Sequence, residues 1–149
     1  MAFQGFIKGV RYIPVPAPVF GELLQEIQDI TELKIILRII RLLHNKKGLE
    51  RYVSVDELLA DRVLSIGLGP MDLNNRRTNI IQSLESSTKR KILIKINRKD
   101  IGTSAYFLNT EFERQSMKKM PDLEHQSDFE PWETGEDRPN IYSLYEQNI

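Results

Sequence analysis

The chain has 149 residues, of which 40% are apolar and 28% charged. That composition fits one folded domain with or without a tail, and excludes a fibre or a wholly disordered chain. There is no cysteine, and the two histidines, His44 and His125, stand far apart, so disulfide scaffolds, thiolate metal sites and cysteine nucleophiles are excluded and no metal or other cofactor is expected.

The formal net charge of zero hides a division. Residues 1–120 hold 20 basic and 13 acidic side chains, a net of +7, whereas residues 121–149 hold one basic residue, Arg138, and eight acidic ones, a net of −7. A basic body attracts polyanions, and an acidic tail either solubilises that body or competes for its basic surface. The shift at Met120 and Pro121 marks the best domain boundary. No signal-peptide core and no apolar run of about 18 residues occurs, so a cytoplasmic protein without a membrane partner is expected.

Residues 1–18 read as an extended arm, held open by Pro14, Pro16 and Pro18. Phe3, Phe6, Tyr12 and Ile13 are large apolar groups on it, expected to pack on the body or on a second subunit. A short helix is expected over 19–27, with Phe20, Leu23, Leu24 and Ile27 along one stripe. The strongest helix is expected over 31–46, with Thr31 as N-cap and Leu33, Ile36, Leu37, Ile40, Leu43 and His44 on its main stripe. Ile35, Ile39 and Leu42 widen that stripe, and Lys34, Arg38 and Arg41 mark a narrow solvent face. A β-prone stretch follows at 51–53. Ser54 then caps a helix from Val55, with Glu57 at the capping-box spacing, and the helix breaks at Gly67 to Pro70. Asp72 caps the next helix, expected to reach about Ser86 with Leu73, Ile80, Ile81 and Leu84 as its apolar positions. A strand at 92–96, a basic loop at 97–104 and a returning strand at 105–109 form a hairpin, and 111–119 can add a last helical turn or two. Helix, short strand, helix, helix, strand, basic loop, strand is the element order of a winged helix-turn-helix, a mainly α fold with a small β-hairpin.

No catalytic constellation is present, so a non-enzyme is expected. Gly67 and Gly69 lack the lysine and preceding strand of a phosphate loop, and no serine sits in a nucleophile elbow. Asp56, Glu57 and Asp61 could share a helix face, but Asp56 and Glu57 lie in a first helical turn, where the dipole favours acids, so a structural reading outweighs an acid–base pair. Nucleic-acid recognition fits better. On the helix over 72–86, Asn75, Arg76, Asn79 and Gln82 are candidates for base edges. Arg77, Lys89, Arg90, Lys91, Arg98 and Lys99 are candidates for phosphates. The rival is protein–protein contact, with Phe3, Phe6, Tyr12, Ile13 and Phe20 as the candidate self-association residues of a homo-oligomer.

Many short matches in order carry a family resemblance over the first half of the chain. They are Phe3, Gln4, Gly5 and Phe6; Pro14, Val15 and Pro16; Phe20 with Glu22, Leu23 and Leu24; Asp29 with Glu32, Leu33 and Lys34; Lys47 and Gly48; Arg51, Tyr52 and Val53; and Glu57, Leu58, Leu59, Ala60 and Asp61. In these the chain resembles the N-terminal region of DnaD-like primosomal replication proteins. The stretch Ile141, Tyr142, Ser143, Leu144, Tyr145, Glu146, Gln147, Asn148 and Ile149 looks like the opening of their helical second domain. The resemblance implies an arm at 1–18, a winged-helix domain at 19–120, an acidic flexible linker at 121–140 and the start of a truncated second domain at 141–149. The segment 72–91 is more polar than the family pattern. The resemblance further implies a non-enzymatic module for replication initiation and primosome assembly. It would act through self-association and contact with a replication initiator or other primosomal proteins, with DNA contact secondary. The alternative is a transcriptional regulator that reads duplex DNA through the helix over 72–86.

Overall fold

In a computed structural model, residues 2–47, 51–98, 100, 102–118 and 124–125 are described, the last two by their backbone alone. The chain order is a 3₁₀ turn (Ala17–Phe20), α1 (Glu22–Glu26), α2 (Ile30–His44), α3 (Val55–Ala60), α4 (Arg62–Gly67), α5 (Leu73–Lys89), β1 (Leu93–Arg98), β2 (Thr103–Leu108), α6 (Glu111–Lys118) and β3 (Glu124–His125). The fold is mainly α-helical with a small antiparallel hairpin. The linker expected at 121–140, apart from the two residues of β3, and the second-domain start at 141–149 lie outside the described residues.

α2 is the hub. Its cap is Asp29, whose carboxylate accepts the Thr31 N–H at 3.0 Å, so Thr31 sits inside the first turn rather than before it. The buried face is Glu32, Ile35, Ile36, Ile39, Ile40 and Leu43. This stripe is rotated from the expected one: Leu37 is 40% exposed and His44 lies in the open. The helix is apolar around most of its girth, so periodicity alone does not choose a face. Its cations do. Arg38 reaches Asp61, and Lys34 donates to the Gly67 carbonyl at 2.9 Å, which turns that flank towards α4.

The helix expected from Val55 is two. Asp61 adopts an extended conformation (ψ 121°) that ends α3, and its side chain accepts the Leu64 N–H at 3.0 Å to start α4. The same carboxylate takes both arms of the Arg38 guanidinium, at 2.8 and 3.0 Å. A similar break divides the helix expected over 19–27. Gly21 interrupts it, and of the expected stripe Leu23 and Ile27 pack while Phe20 and Leu24 stay exposed.

α5 starts as its sequence indicates, with Asp72 accepting the Asn75 N–H at 2.8 Å, and runs one turn beyond the expected end. It closes without glycine. Lys91 takes the left-handed conformation (φ 68°), donating to the Thr88 carbonyl, while Ile92 donates to that of Ser87. These two bonds satisfy carbonyls that the helix end would otherwise leave open.

The hairpin registers Leu93 on Leu108 and Arg98 on Thr103. Val53 bridges to Tyr106 through two backbone hydrogen bonds of 3.0 and 2.9 Å, so the β-prone stretch at 51–53 does join the sheet. β3 pairs with the other side of β1 at Ile96 and Asn97. Alternation splits the hairpin between two cores. Leu93 and Tyr106 face the helices, with Ile35, Ile36, Ile39, Leu58, Ile80 and Leu84. Ile94, Ile96, Ala105 and Phe107 face the other way, where Met117 of α6 covers them.

Two outcomes are expected. The Arg38 guanidinium, followed by the Leu64 N–H, holds the Asp61 carboxyl below the usual carboxylate range. A folded-state value below the unfolded one stabilises the protein above about pH 4 and loses that contribution as pH falls through the folded value. Asp61→Ala should therefore cost about 2–4 kcal/mol at neutral pH, for a cap plus a charged hydrogen-bond pair, with the gap from the parent chain closing in acid. Urea unfolding at pH 7 and pH 3 measures it. Lys91→Gly should raise stability by about 0.5–1 kcal/mol, because glycine enters the left-handed region without the side-chain cost; thermal unfolding reads that gain.

Candidate functional site

The recognition-type candidates sit on the first three turns of α5. Asn75 and Gln82 are exposed, and Arg76 and Asn79 are half-buried. Arg76 bends back along the helix, its guanidinium 3.3 Å from the Met71 carbonyl, and the Asn79 amide lies 3.3 Å from the Met71 sulfur. Asn79 and Gln82 then line a polar hollow of about 430 Å³ whose opposite wall is Asp29, Thr31 and Glu32 at the start of α2. The four candidates are thus not one open surface. The exposed residues of α5 are Leu73, Asn74, Asn75, Arg77, Thr78, Gln82, Glu85 and Lys89, with an acid among them.

The phosphate candidates divide in the same way. Lys89 and Lys91 are exposed, and Arg77 lies 3.6 Å from Asp56 in an exposed pair. Arg90 is committed inward. Its Nε donates to Glu32 at 3.0 Å, and Ser86 and Ser87 each donate to the same carboxylate at 3.2 Å. Glu32 is only 3% exposed. The acid was not singled out from the sequence, although its place three and four residues before Ile35 and Ile36 puts it on the true stripe. Arg98 chelates Asp100 at 3.1 and 2.6 Å and lies over the Tyr52 ring, 5.6 Å from its centroid, with its side chain 11% exposed. Lys99 lies outside the described residues.

The self-association candidates behave differently. Phe3 and Phe6 touch edge to face at 5.0 Å, next to a turn in which Val10 donates to the Ile7 carbonyl around Gly9 (φ 81°). Neither ring reaches the body: Phe3 is 73% exposed, Phe6 83% and Tyr12 85%. Phe20 is exposed as well, and Ile13 is half-buried. Val15, nearer the body, packs on the main core.

Beside the root of the arm lies an apolar groove of about 580 Å³. Pro14, Val15 and Pro16 form one wall, Ile40, Leu43 and His44 of α2 another, and Leu108, Thr110 and Phe112 a third. Arg51 and Glu113 supply its charges, 3.4 Å apart, with Arg51 also stacked 4.9 Å over the Phe112 ring. Glu113 is 5% exposed, and burial pushes its carboxyl above the usual range against the pull of Arg51. Neither the groove nor Glu113 was legible as a site, because its walls come from four separated stretches of sequence.

Among the described residues no helix is long and apolar enough to cross a membrane, and no group of three or more His, Asp or Glu side chains is placed to hold a metal ion. No protein-family model, curated protein or solved structure matches the chain.

The inward commitment of Arg90 has a measurable consequence. Arg90→Ala leaves a buried carboxylate without its cation and should lower the unfolding free energy by about 3–5 kcal/mol. Lys89→Ala, at the exposed neighbour, should stay within about 0.5 kcal/mol of the parent chain. Chemical denaturation in the absence of nucleic acid compares them.

Proposed function

We propose that this chain is a non-enzymatic assembly module for DNA replication initiation, of winged-helix type, acting in the cytoplasm through self-association and protein contacts. In this reading α2, the α3–α4 pair and α5 are the three helices, the hairpin is the wing, and Val53 supplies the short strand segment before α3. The observation that carries it is the arm. Three aromatic rings, Phe3, Phe6 and Tyr12, each more than 70% exposed, together carry several hundred Å² of apolar surface that the protomer itself does not bury. The resemblance to DnaD-like proteins supplies the replication setting.

DNA contact is secondary in this proposal, and it rests on charge. Lys89 and Lys91 remain exposed near the end of α5, whereas Arg90 and Arg98 are engaged within the fold. Phosphate contact of this kind weakens as salt rises and discriminates poorly between sequences. The competing reading, a regulator that reads duplex through α5, draws on the exposure of Asn75 and Gln82. It needs base-facing residues on one open face, and Arg76 and Asn79 are turned to Met71.

Light scattering on the purified chain, with and without short duplex and single-stranded DNA, is the test. The expected result is an oligomer without DNA that falls to monomer when residues 2–12 are removed, together with weak, salt-sensitive DNA binding. A monomer with a sequence-specific duplex footprint would reverse the assignment in favour of the regulator.

A further inference from the structure

We propose that the groove between α2, α6 and the root of the arm is the receptor for the arm of a second copy of this chain, so that two protomers exchange residues 2–12 reciprocally. The inference rests on the self-association reading above and names the surface on which it acts.

Three observations select this occupant. The first is complementarity of kind. One chain carries both an uncovered apolar arm, with Phe3, Phe6, Ile7 and Tyr12, and an open apolar groove floored by Ile40, Leu43 and Leu108. The groove can hold two or three large side chains, because a volume of about 580 Å³ lies in the range of sites that enclose drug-sized molecules.

The second is direction. The arm leaves the body at Pro14, Val15 and Pro16, which are themselves one wall of the groove. Pro16 is extended (φ −55°, ψ 133°), and the alternating prolines stiffen this exit. None of residues 2–12 lines the groove beside which the arm is rooted, so the arm leaves that groove open to the corresponding arm of a neighbour. A two-fold relation then satisfies both arms and both grooves at once.

The third is size. Three aromatic side chains cover about 500 Å² when buried, the groove they enter adds a smaller area, and reciprocal exchange doubles both, giving roughly 1,300 Å², at the lower end of the range of stable interfaces.

The natural chain has no cysteine, so single thiols report proximity cleanly. Gln4→Cys places one on the arm and His44→Cys one on the rim of the groove; both positions are exposed and outside the core. The two variants are mixed, allowed to exchange and treated with a short bifunctional thiol reagent, with Asn74→Cys on the open face of α5 replacing His44→Cys as control. Since the thiols are on different chains, every mixed product joins two protomers. The Gln4→Cys with His44→Cys product should exceed the control at least tenfold. Oligomers seen by light scattering with equal yields in both mixtures would overturn the groove as receptor and leave self-association standing. A chain that stays monomeric overturns both. A second variant avoids thiols: Phe3→Ala with Phe6→Ala, at two exposed rings, should raise the dimer dissociation constant at least tenfold with unchanged thermal stability of the monomer, and an unchanged constant would overturn the arm as occupant.

Discussion

The carboxylate of Glu32 governs the arrangement of the two longest helices. A buried acid needs a cation and hydrogen-bond donors, and all of them here come from the last turns of α5: Ser86, Ser87 and Arg90. The start of α2 is thereby locked to the end of α5. Once that end is fixed, the rotation of α5 follows. Ile80, Ser83, Leu84 and Ser87 turn inward, and Asn75, Gln82 and Lys89 turn outward. One polar cluster thus sets both the packing and the surface that α5 offers to anything outside.

That cluster also explains how far the sequence could be read. Local chemistry was legible. Ser54 and Asp72 cap helices because short polar side chains reach the orphan N–H groups of the next turn, and the hairpin follows from alternation on both sides of a basic loop. What failed were choices made by distant partners. α2 has too many apolar positions for one stripe to stand out, and its face is chosen by Asp61 and Gly67 through Arg38 and Lys34, more than twenty residues away in sequence. Asp61 looked like one of several helix acids, yet it ends one helix, caps the next and binds a guanidinium. The candidate surface suffered in the same way. A helical projection places Arg76 beside Asn75 and Asn79, but does not show that Met71 draws two of these side chains aside.

The arm and the groove illustrate a different limit. The exposed-prone aromatics were visible as residue types, and the need for a partner followed from their size alone. The groove was not visible, because Val15, Leu43, Leu108 and Phe112 share no motif and meet only after the sheet has closed against α2. Composition announces a ligand-like segment well before topology builds its receptor.

The bridge between Val53 and Tyr106 has a kinetic side. The β1–β2 hairpin can close within its own short loop, whereas this bridge joins positions separated by about fifty residues that include α3, α4 and α5. The chain must surrender the freedom of that long loop before the two backbone hydrogen bonds return anything. The step is made easier once α3 and α5 have packed, since helix formation shortens the path between the ends. Closing the local hairpin thus costs less chain entropy than closing this bridge, and helices packed between its ends lower the cost of completing the edge of the sheet.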